Sequence, residues 1–364
     1  MQVREITDHI ESFAPLSYQE SYDNAGLQTG NPDQEVSAVL ICMDVTDAVI
    51  EEAIRLEANL IISHHPLIFS GLKKLTGSNY TERLVIEAIR KDLSIYAAHT
   101  NMDAVLTGVN HKMGEKIGLK DTGIIAPMAD QLRKLVFFVP TDHAEAVRKE
   151  IFKAGAGHIG AYDMCSFSTP GEGTFRGSEI SDPFVGEKGS MHTEPELRVE
   201  TIFPKDKENL IVQALIRSHP YEEVAYDIYP LANKYNQAGF GAIGEFEKPV
   251  DELSFLQLLK DRFNAKVIRH TRFLDRKIKK VALCGGSGSF LLPGALASGA
   301  DAFITGDYKY HQFFDADGRI LVADIGHYES EQFTKEIFYE LLTKKLPKFA
   351  VHLSEVNTNP VNYF

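Results

Sequence analysis

The chain has 364 residues, 44% hydrophobic and 24% charged, with a formal net charge of −13. That length favours two domains or one large one, and the acidic balance argues against nucleic acid as a partner, because nonspecific phosphate-backbone binding needs a basic surface. No apolar run reaches the ~18 residues a membrane helix needs, and the N-terminus lacks a hydrophobic signal core, so the cytoplasm is the expected location and no membrane contact is expected.

The opening stretch, "MQVREITDHIESFAPLSYQE", has the spacing of an amphipathic helix. "DNAG" at 23–26 reads as a turn. "VSAVLICMDV" is β-rich and ends at Asp44, which could approach a strand-end site or help cap the helix that follows. That helix, "TDAVIEEAIRLEA", has Thr46 as its N-cap. Next come the short apolar strand "NLIIS", the helix "TERLVIEAIRKD" and the strand "LSIYAAHT". Strands alternating with helices predict a parallel sheet covered on both faces.

From about 126 to 245 the texture changes. "LRKLVFFVP" predicts a strand, "HAEAVRKEIFKAGA" a helix, and "YDMCSFSTPGEGTFRG" a strand running into a glycine-rich loop. The strand "ELRVETIFP", the helix "KENLIVQALIRSHP" and the strand "EEVAYDIYPL" follow. This is the split βαβ, ferredoxin-like pattern of a self-contained inserted domain. The stretch "TPGEGTFRGSEISDPFVGEKGS" is its expected mobile loop, and His219, before Pro220, is expected to be structural.

The last third repeats the plan of the first. "KKVALCGGSGS" mirrors "SAVLICMDVTD", and "LASGADAFITGDYKYH" mirrors "RLEANLIISHHPLIF", both at an offset of 242 residues. "GRILVADIGHYES" corresponds more loosely to "LSIYAAHTNMD". The fold class is therefore α/β: two similar α/β halves forming one domain, 1–125 and 246–364, interrupted by the insert at 126–245. "GGSGS" at 285–289 follows a strand and reads as an anion-cradling loop or as a plain tight turn. Cys42, Cys165 and Cys284 form no CxxC pair, which predicts buried apolar thiols.

Ligand sites in open α/β sheets gather beyond the C-terminal strand ends. Four polar clusters fall there: His64 and His65; His99, Asn101 and Asp103; Asp307 and His311; and His327, Glu329 and Glu331. Adjacent residues of an extended chain point to opposite sides, and Pro66 biases His65 toward extended geometry, so the two histidines suit two ions, or one ion and a supporting contact. If "YESEQFTKEIFYELL" is a helix, His327 and Glu331 share a face of its first turn and Glu329 points away. Mixed imidazole and carboxylate donors suit Zn, Mn, Fe or Co better than Ca or Mg. Two such ions bridged by carboxylates can hold a hydroxide and polarise a substrate oxygen.

The motifs "SHHPLIFSG", "HTNMDAV" and "GHYESE", in this order, closely resemble the Nif-three-like dinuclear-metal family, whose members are commonly called GTP cyclohydrolase 1 type 2 homologues. "YDNAGLQTG" and "ITGDYKYHQ" match its pattern too. The resemblance covers roughly 1–125 and 240–364 and extends to long bacterial members that carry an insert; "SHPYEEVAYDIYPL" is similar to the closing strand of PII-like and CutA-like domains. It implies metal ligands at His64, His65, Asp103, His327 and Glu331. It further implies two divalent ions per chain, Zn first with Mn, Fe or Co as alternatives, inside a ring-shaped homohexamer capped by the inserts. The implied activity opens the imidazole ring of GTP, or of a related small substrate, by attack of a metal-bound hydroxide. His99, Asp307 and His311 are the candidates for handling protons, or else orient the ligands. The competing expectation is a non-enzymatic regulatory or assembly protein whose PII-like insert senses a small effector.

Overall fold

A computed structural model describes residues 1–364. The first segment contains α1 (Val3–Phe13), β1 (Gly26–Thr29), β2 (Val39–Cys42), α2 (Asp47–Arg55), β3 (Leu60–Ser63), α3 (Tyr80–Arg90), β4 (Ser94–Ala97), α4 (Thr100–Ala104), α5 (Val109–Ile117) and β5 (Lys120–Met128). The middle contains β6 (Leu132–Pro140), α6 (Ala144–Lys153), β7 (Phe167–Arg176), β8 (Met191–Pro204), α7 (Glu208–Ser218) and β9 (Tyr226–Leu231). The last segment contains β10 (Tyr235–Asp251), α8 (Glu252–Phe263), β11 (Arg269–His270), β12 (Lys277–Ser287), α9 (Leu292–Ala297), β13 (Ala302–Gly306), β14 (Leu321–Asp324), α10 (His327–Glu331), α11 (Thr334–Lys345) and β15 (Val351–Leu353). The chain divides into two compact units, 1–127 with 236–364, and 128–235.

The first unit holds two sheets, in the orders β1-β4-β3-β2-β15 and β11-β14-β13-β12-β10-β5. Strands β2, β3 and β4 are parallel, and so are β12, β13 and β14. The 242-residue offset read from the sequence reappears in the pairing: Val39 faces Leu60, and Val281 faces Ala302. Each parallel trio ends on an antiparallel strand, β1 against β4 and β11 against β14.

Every residue of β2, β3, β4 and β14 is buried, as expected for strands covered on both faces. Val49, Ile50 and Ala53 of α2 and Leu84, Val85 and Ala88 of α3 cover one face of the first sheet. The other face packs on α1 and α11 through Ile6, Ile10, Ile337, Phe338 and Leu342. Thr46 caps α2, its hydroxyl accepting from the Val49 amide. Cys42 and Cys284 are buried, whereas Cys165 is only half-buried. The expected long helix after Gly326 is two helices: α10 closes after five residues and α11 starts at Thr334.

The second unit is a four-stranded antiparallel sheet, β7-β8-β6-β9, with α6 and α7 packed through Val147, Ile151, Ile211 and Leu215. The expected mobile loop is corrected in part. Thr169–Arg176 belongs to β7, which pairs with β8 from Phe167–Glu200 through Arg176–Met191. Only 177–190 lies outside a strand. Pairing along a long partner strand overrides the weak strand propensity of "PGEG".

Candidate metal centre

Strand β3 ends at Ser63, and its next two residues deliver the paired imidazoles. The His64 and His65 amides are held by the Cys42 and Met43 carbonyls at 3.3 and 3.0 Å. The two rings do not diverge as an extended chain would place them. Their centroids lie 4.9 Å apart, and their ligand atoms, with a Glu331 carboxylate oxygen, all fall within 4.8 Å of one another. The chain bends after Ser63, where the Ser63 hydroxyl donates to the His65 carbonyl at 2.8 Å.

Glu331 is the centre of the cluster. Its Oε2 lies 3.0 Å from His65 Nε2, 3.0 Å from His327 Nε2 and 3.8 Å from His64 Nε2. The one-turn α10 puts His327 and Glu331 four residues apart on one face, as the spacing predicts. Asp103, on α4, comes within 3.7 Å of His64 Nε2 through its Oδ1. All five residues expected to ligate metal are therefore gathered at the ends of β3, β4 and β14.

The far nitrogen of each ring is fixed. His64 Nδ1 donates to the Ala98 carbonyl at 2.9 Å, His65 Nδ1 to Asp44 at 2.7 Å and His327 Nδ1 to Asp307 at 2.7 Å. Three imidazoles thus present Nε2 to one point, the arrangement in which an outer acceptor sets tautomer and ring angle. Asp307 reaches this position from a left-handed backbone, φ 53°, a conformation that aspartate tolerates better than most residues.

Electrostatics divides the groups. Burial, and then the Glu331 charge, push the Asp103 carboxyl well above its usual range. Burial also opposes ionisation of Glu331, but His327, His64 and His65 outweigh it and hold that carboxyl well below its usual value. Burial keeps His64 below its ordinary value. Burial works the same way on His65, yet the bonds to Asp44 and Glu331 raise it to about 10. His327 is raised to about 11, against burial, by Glu331 and Asp307.

His64 Nε2 and Asp103 Oδ1 are the test of whether the residues fit a metal. Both atoms are buried, and neither has a hydrogen-bond partner. A buried polar atom without a partner costs on the order of 1–3 kcal/mol. A divalent cation would satisfy both, and the imidazole and carboxylate set has the donor chemistry of Zn, Mn, Fe or Co sites. The residues present fit the group.

The remaining expected residues separate. His99 lies beside the cluster, its ring 5.4 Å from those of His64 and His65, with Nδ1 donating to Asp23 at 2.8 Å. Asp307 touches His327 alone. His311 is not brought to the cluster: it is exposed on the turn 310–316, with Tyr310 and Phe314 as its ring contacts. Asn101 is structural, its amide donating to the Ala14 carbonyl. Glu329 turns away, accepting from Asn359 at 3.1 Å.

"GGSGS" is not an anion cradle. The Gly285, Gly286 and Gly288 amides are each taken at 2.9 Å, by Asn110, Ser330 and Thr305. Gly286 makes room instead, since a Cβ there would fall 2.2 Å from Glu331 Oε1. Sequence reasoning missed Thr358, whose hydroxyl donates to Asp44 at 2.6 Å from the C-terminal tail. It also missed the aromatic residues Tyr22, Phe69, Phe240 and Phe290, which line a cavity of about 670 Å³ that reaches His65, Asp103 and Glu331. Tyr22 and Phe69 lie in the quoted stretches "YDNAGLQTG" and "SHHPLIFSG", whereas no motif marks Phe240 and Phe290.

The fold and the cluster define a mixed α/β protein with a buried His64, His65 and Glu331 group that could hold a metal ion. The pattern of the Duf34/NIF3 family (NGG1p interacting factor 3) matches residues 1–360, and the chain belongs to that family. It is similar to a GTP cyclohydrolase 1 type 2 homolog of Bacillus subtilis, 38% identical over 99% of this chain and 98% of that protein. A relative of the same description from Halalkalibacterium halodurans is 40% identical over 97% and 96%. Among solved structures, a Bacillus cereus protein related to NIF3 superposes with a TM-score of 0.85 at 38% identity, covering 100% of this chain and 99% of that one. No helix is long and apolar enough to cross a membrane.

Proposed function

We propose that the first unit is a two-metal centre with His64, His65, Asp103, His327 and Glu331 as ligands, serving a hydrolase of the GTP cyclohydrolase 1 type 2 kind. The observation that carries this reading is the convergence of three Nε2 atoms and Asp103 on Glu331, with every Nδ1 already engaged. Glu331 Oε2 faces Nε2 of His64, His65 and His327, so its carboxylate would hold metal together with them. Divalent ions held there supply Lewis acidity and make a water acidic at neutral pH. Asp44 and Asp307 orient His65 and His327. His99, fixed by Asp23, faces the same cavity and is positioned to move a proton to or from a substrate. The aromatic residues Tyr22, Phe69, Phe240 and Phe290 suit a planar ring. No lysine or arginine lines that cavity, so a polyphosphate would have its charge met by the ions.

The second unit reads as the inserted ferredoxin-like, PII/CutA-like domain, supported by its βαββαβ element order and by β6 and β8 pairing at the centre of the sheet. The homohexameric ring and the cytoplasmic location belong to the same proposal. Exposed Phe167, Met191 and Tyr229 on the second unit support self-association, which light scattering on the eluted protein would measure.

The test of function is incubation of metal-loaded protein with GTP and, separately, with guanosine, following loss of substrate and formation of formate by mass spectrometry. Turnover that His65→Ala abolishes is the expected result. No formate with Zn, Mn, Fe or Co would sink the cyclohydrolase reading and favour a non-enzymatic regulatory or assembly role.

A further inference from the structure

The second unit carries a cavity of its own that the metal centre does not explain. Its helices cover one sheet face, where Leu135, Phe137, Val139 and Val199 are buried. Alternation along the strands puts Phe138, Glu196 and Arg198 on the opposite face. There a cavity of about 570 Å³ is lined by these three residues together with Phe175, Phe184 and Tyr221. Its size is in the range of small-molecule sites.

Glu196 is the unusual member. It is only 8% exposed. The Tyr221 hydroxyl donates to its Oε1 at 2.8 Å, while Oε2 receives no hydrogen bond from the protein. Arg198, the one cation in the lining, is engaged by Glu200 instead. Its carboxyl group lies in the lining of the cavity with no cation paired to it. The glycine-rich stretch of β7 allows it: a Cβ on Gly173 would fall 2.1 Å from Glu196 Oε2. Around the carboxylate stand aromatic rings, with Tyr221 6.1 Å from Phe175 and 6.3 Å from Phe184, centroid to centroid. Glu172, Glu222 and Glu223 add negative charge at the lining, which disfavours an anion.

We propose that this cavity binds a compact organic cation, an ammonium group on a small apolar body, with Glu196 as counter-ion and Phe175, Phe184 and Tyr221 as the cage. Rings of this kind attract a desolvated cation through their faces, and the carboxylate supplies the charge that a neutral isostere cannot use. The site is independent of the metal centre and of its proposed activity.

The test uses the full-length, metal-loaded protein and two probes of nearly equal shape, choline and uncharged 3,3-dimethylbutan-1-ol, with affinities read by saturation-transfer NMR. Choline is expected to bind at least ~10-fold tighter than the alcohol. Glu196→Gln, which keeps the size and the Tyr221 contact, is expected to abolish that preference. Phe184→Ala, on the exposed loop, is expected to weaken choline at least about threefold. Equal binding of the two probes, no choline binding at millimolar concentration, or a preference that survives Glu196→Gln in a folded variant would each overturn the proposal. The comparison of the two probes on the unaltered protein needs no variant.

Discussion

The two parallel trios of the first unit, β2-β3-β4 and β12-β13-β14, share a frame but fill it differently. An offset of 242 residues pairs His64 with Gly306, His65 with Asp307 and Asp44 with Gly286. After the third strand a shift of 228 pairs His99 with His327 and Asp103 with Glu331. In the first half the strand end after β3 carries imidazoles. In the second half the same place carries a glycine and an orienting aspartate. A Cβ at Gly306 would come 2.8 Å from the His327 amide nitrogen. The second half therefore provides space for His327 and Glu331 where the first half provides side chains. A duplicated scaffold can build one off-centre site when one copy gives up bulk to the other.

That comparison can be broken most severely at Glu331, the carboxylate that contacts histidines of both halves. Glu331→Ala is expected to weaken zinc binding by at least ~100-fold, read by competition with a chromophoric chelator. Unchanged affinity would show that the halves do not share a carboxylate. Gly286→Ala comes next. It places a Cβ against Glu331 at a residue whose φ is +60°, so a loss of about 1–3 kcal/mol is expected, visible as a lowered Tm together with weaker metal binding. An unaltered Tm would mean that the second half does not depend on this space.

At the matching position in the first half, Asp44→Ala is expected to lower metal affinity roughly 10–100-fold through loss of control over His65. Asp307→Ala should do the same through His327. If neither changes affinity, the two aspartates do not set ring orientation.

Proton release sharpens the contrast within the cluster. His65 and His327, raised to about 10 and about 11, are protonated at neutral pH in the metal-free protein, while buried His64 is held low. Metal must displace protons below those values, so affinity should rise with pH toward them. Calorimetry in buffers of different ionisation enthalpy should show net proton release, and its absence would contradict the assigned charges. The smallest effect lies away from the comparison. Thr46→Ala removes the α2 cap and should cost about 1 kcal/mol, with metal affinity unchanged.

Much of the frame was legible in the sequence because it rests on local signals. Apolar runs marked β2, β3, β4 and β13, the Thr46 hydroxyl marked α2, and the repeat offset is the observed strand register. Strand-end position put His64, His65, Asp103, His327 and Glu331 among a wider set of candidates, and the family resemblance singled out these five. What was not legible depends on distant contacts. Asp23 reaches His99 across 76 residues, and Thr358 reaches Asp44 across 314. Glycine is hard to read, since the absence of a side chain carries no record of what fills the space. Gly286 makes room for a carboxylate, and Gly171 and Gly173 lie inside a paired strand. His311 looked equivalent to the other strand-end histidines, but the turn after Lys309 carries it outward.

The central proposal is that His64, His65, Asp103, His327 and Glu331 would hold two divalent ions, the histidines through Nε2. A crystal structure of zinc-loaded protein with anomalous data on both sides of the zinc edge tests it most directly. The account predicts two anomalous peaks flanking the Glu331 carboxylate, one beside His64 and Asp103 and the other beside His65 and His327, all ligating through Nε2. A single peak, no peak, or ligation through Nδ1 would contradict it.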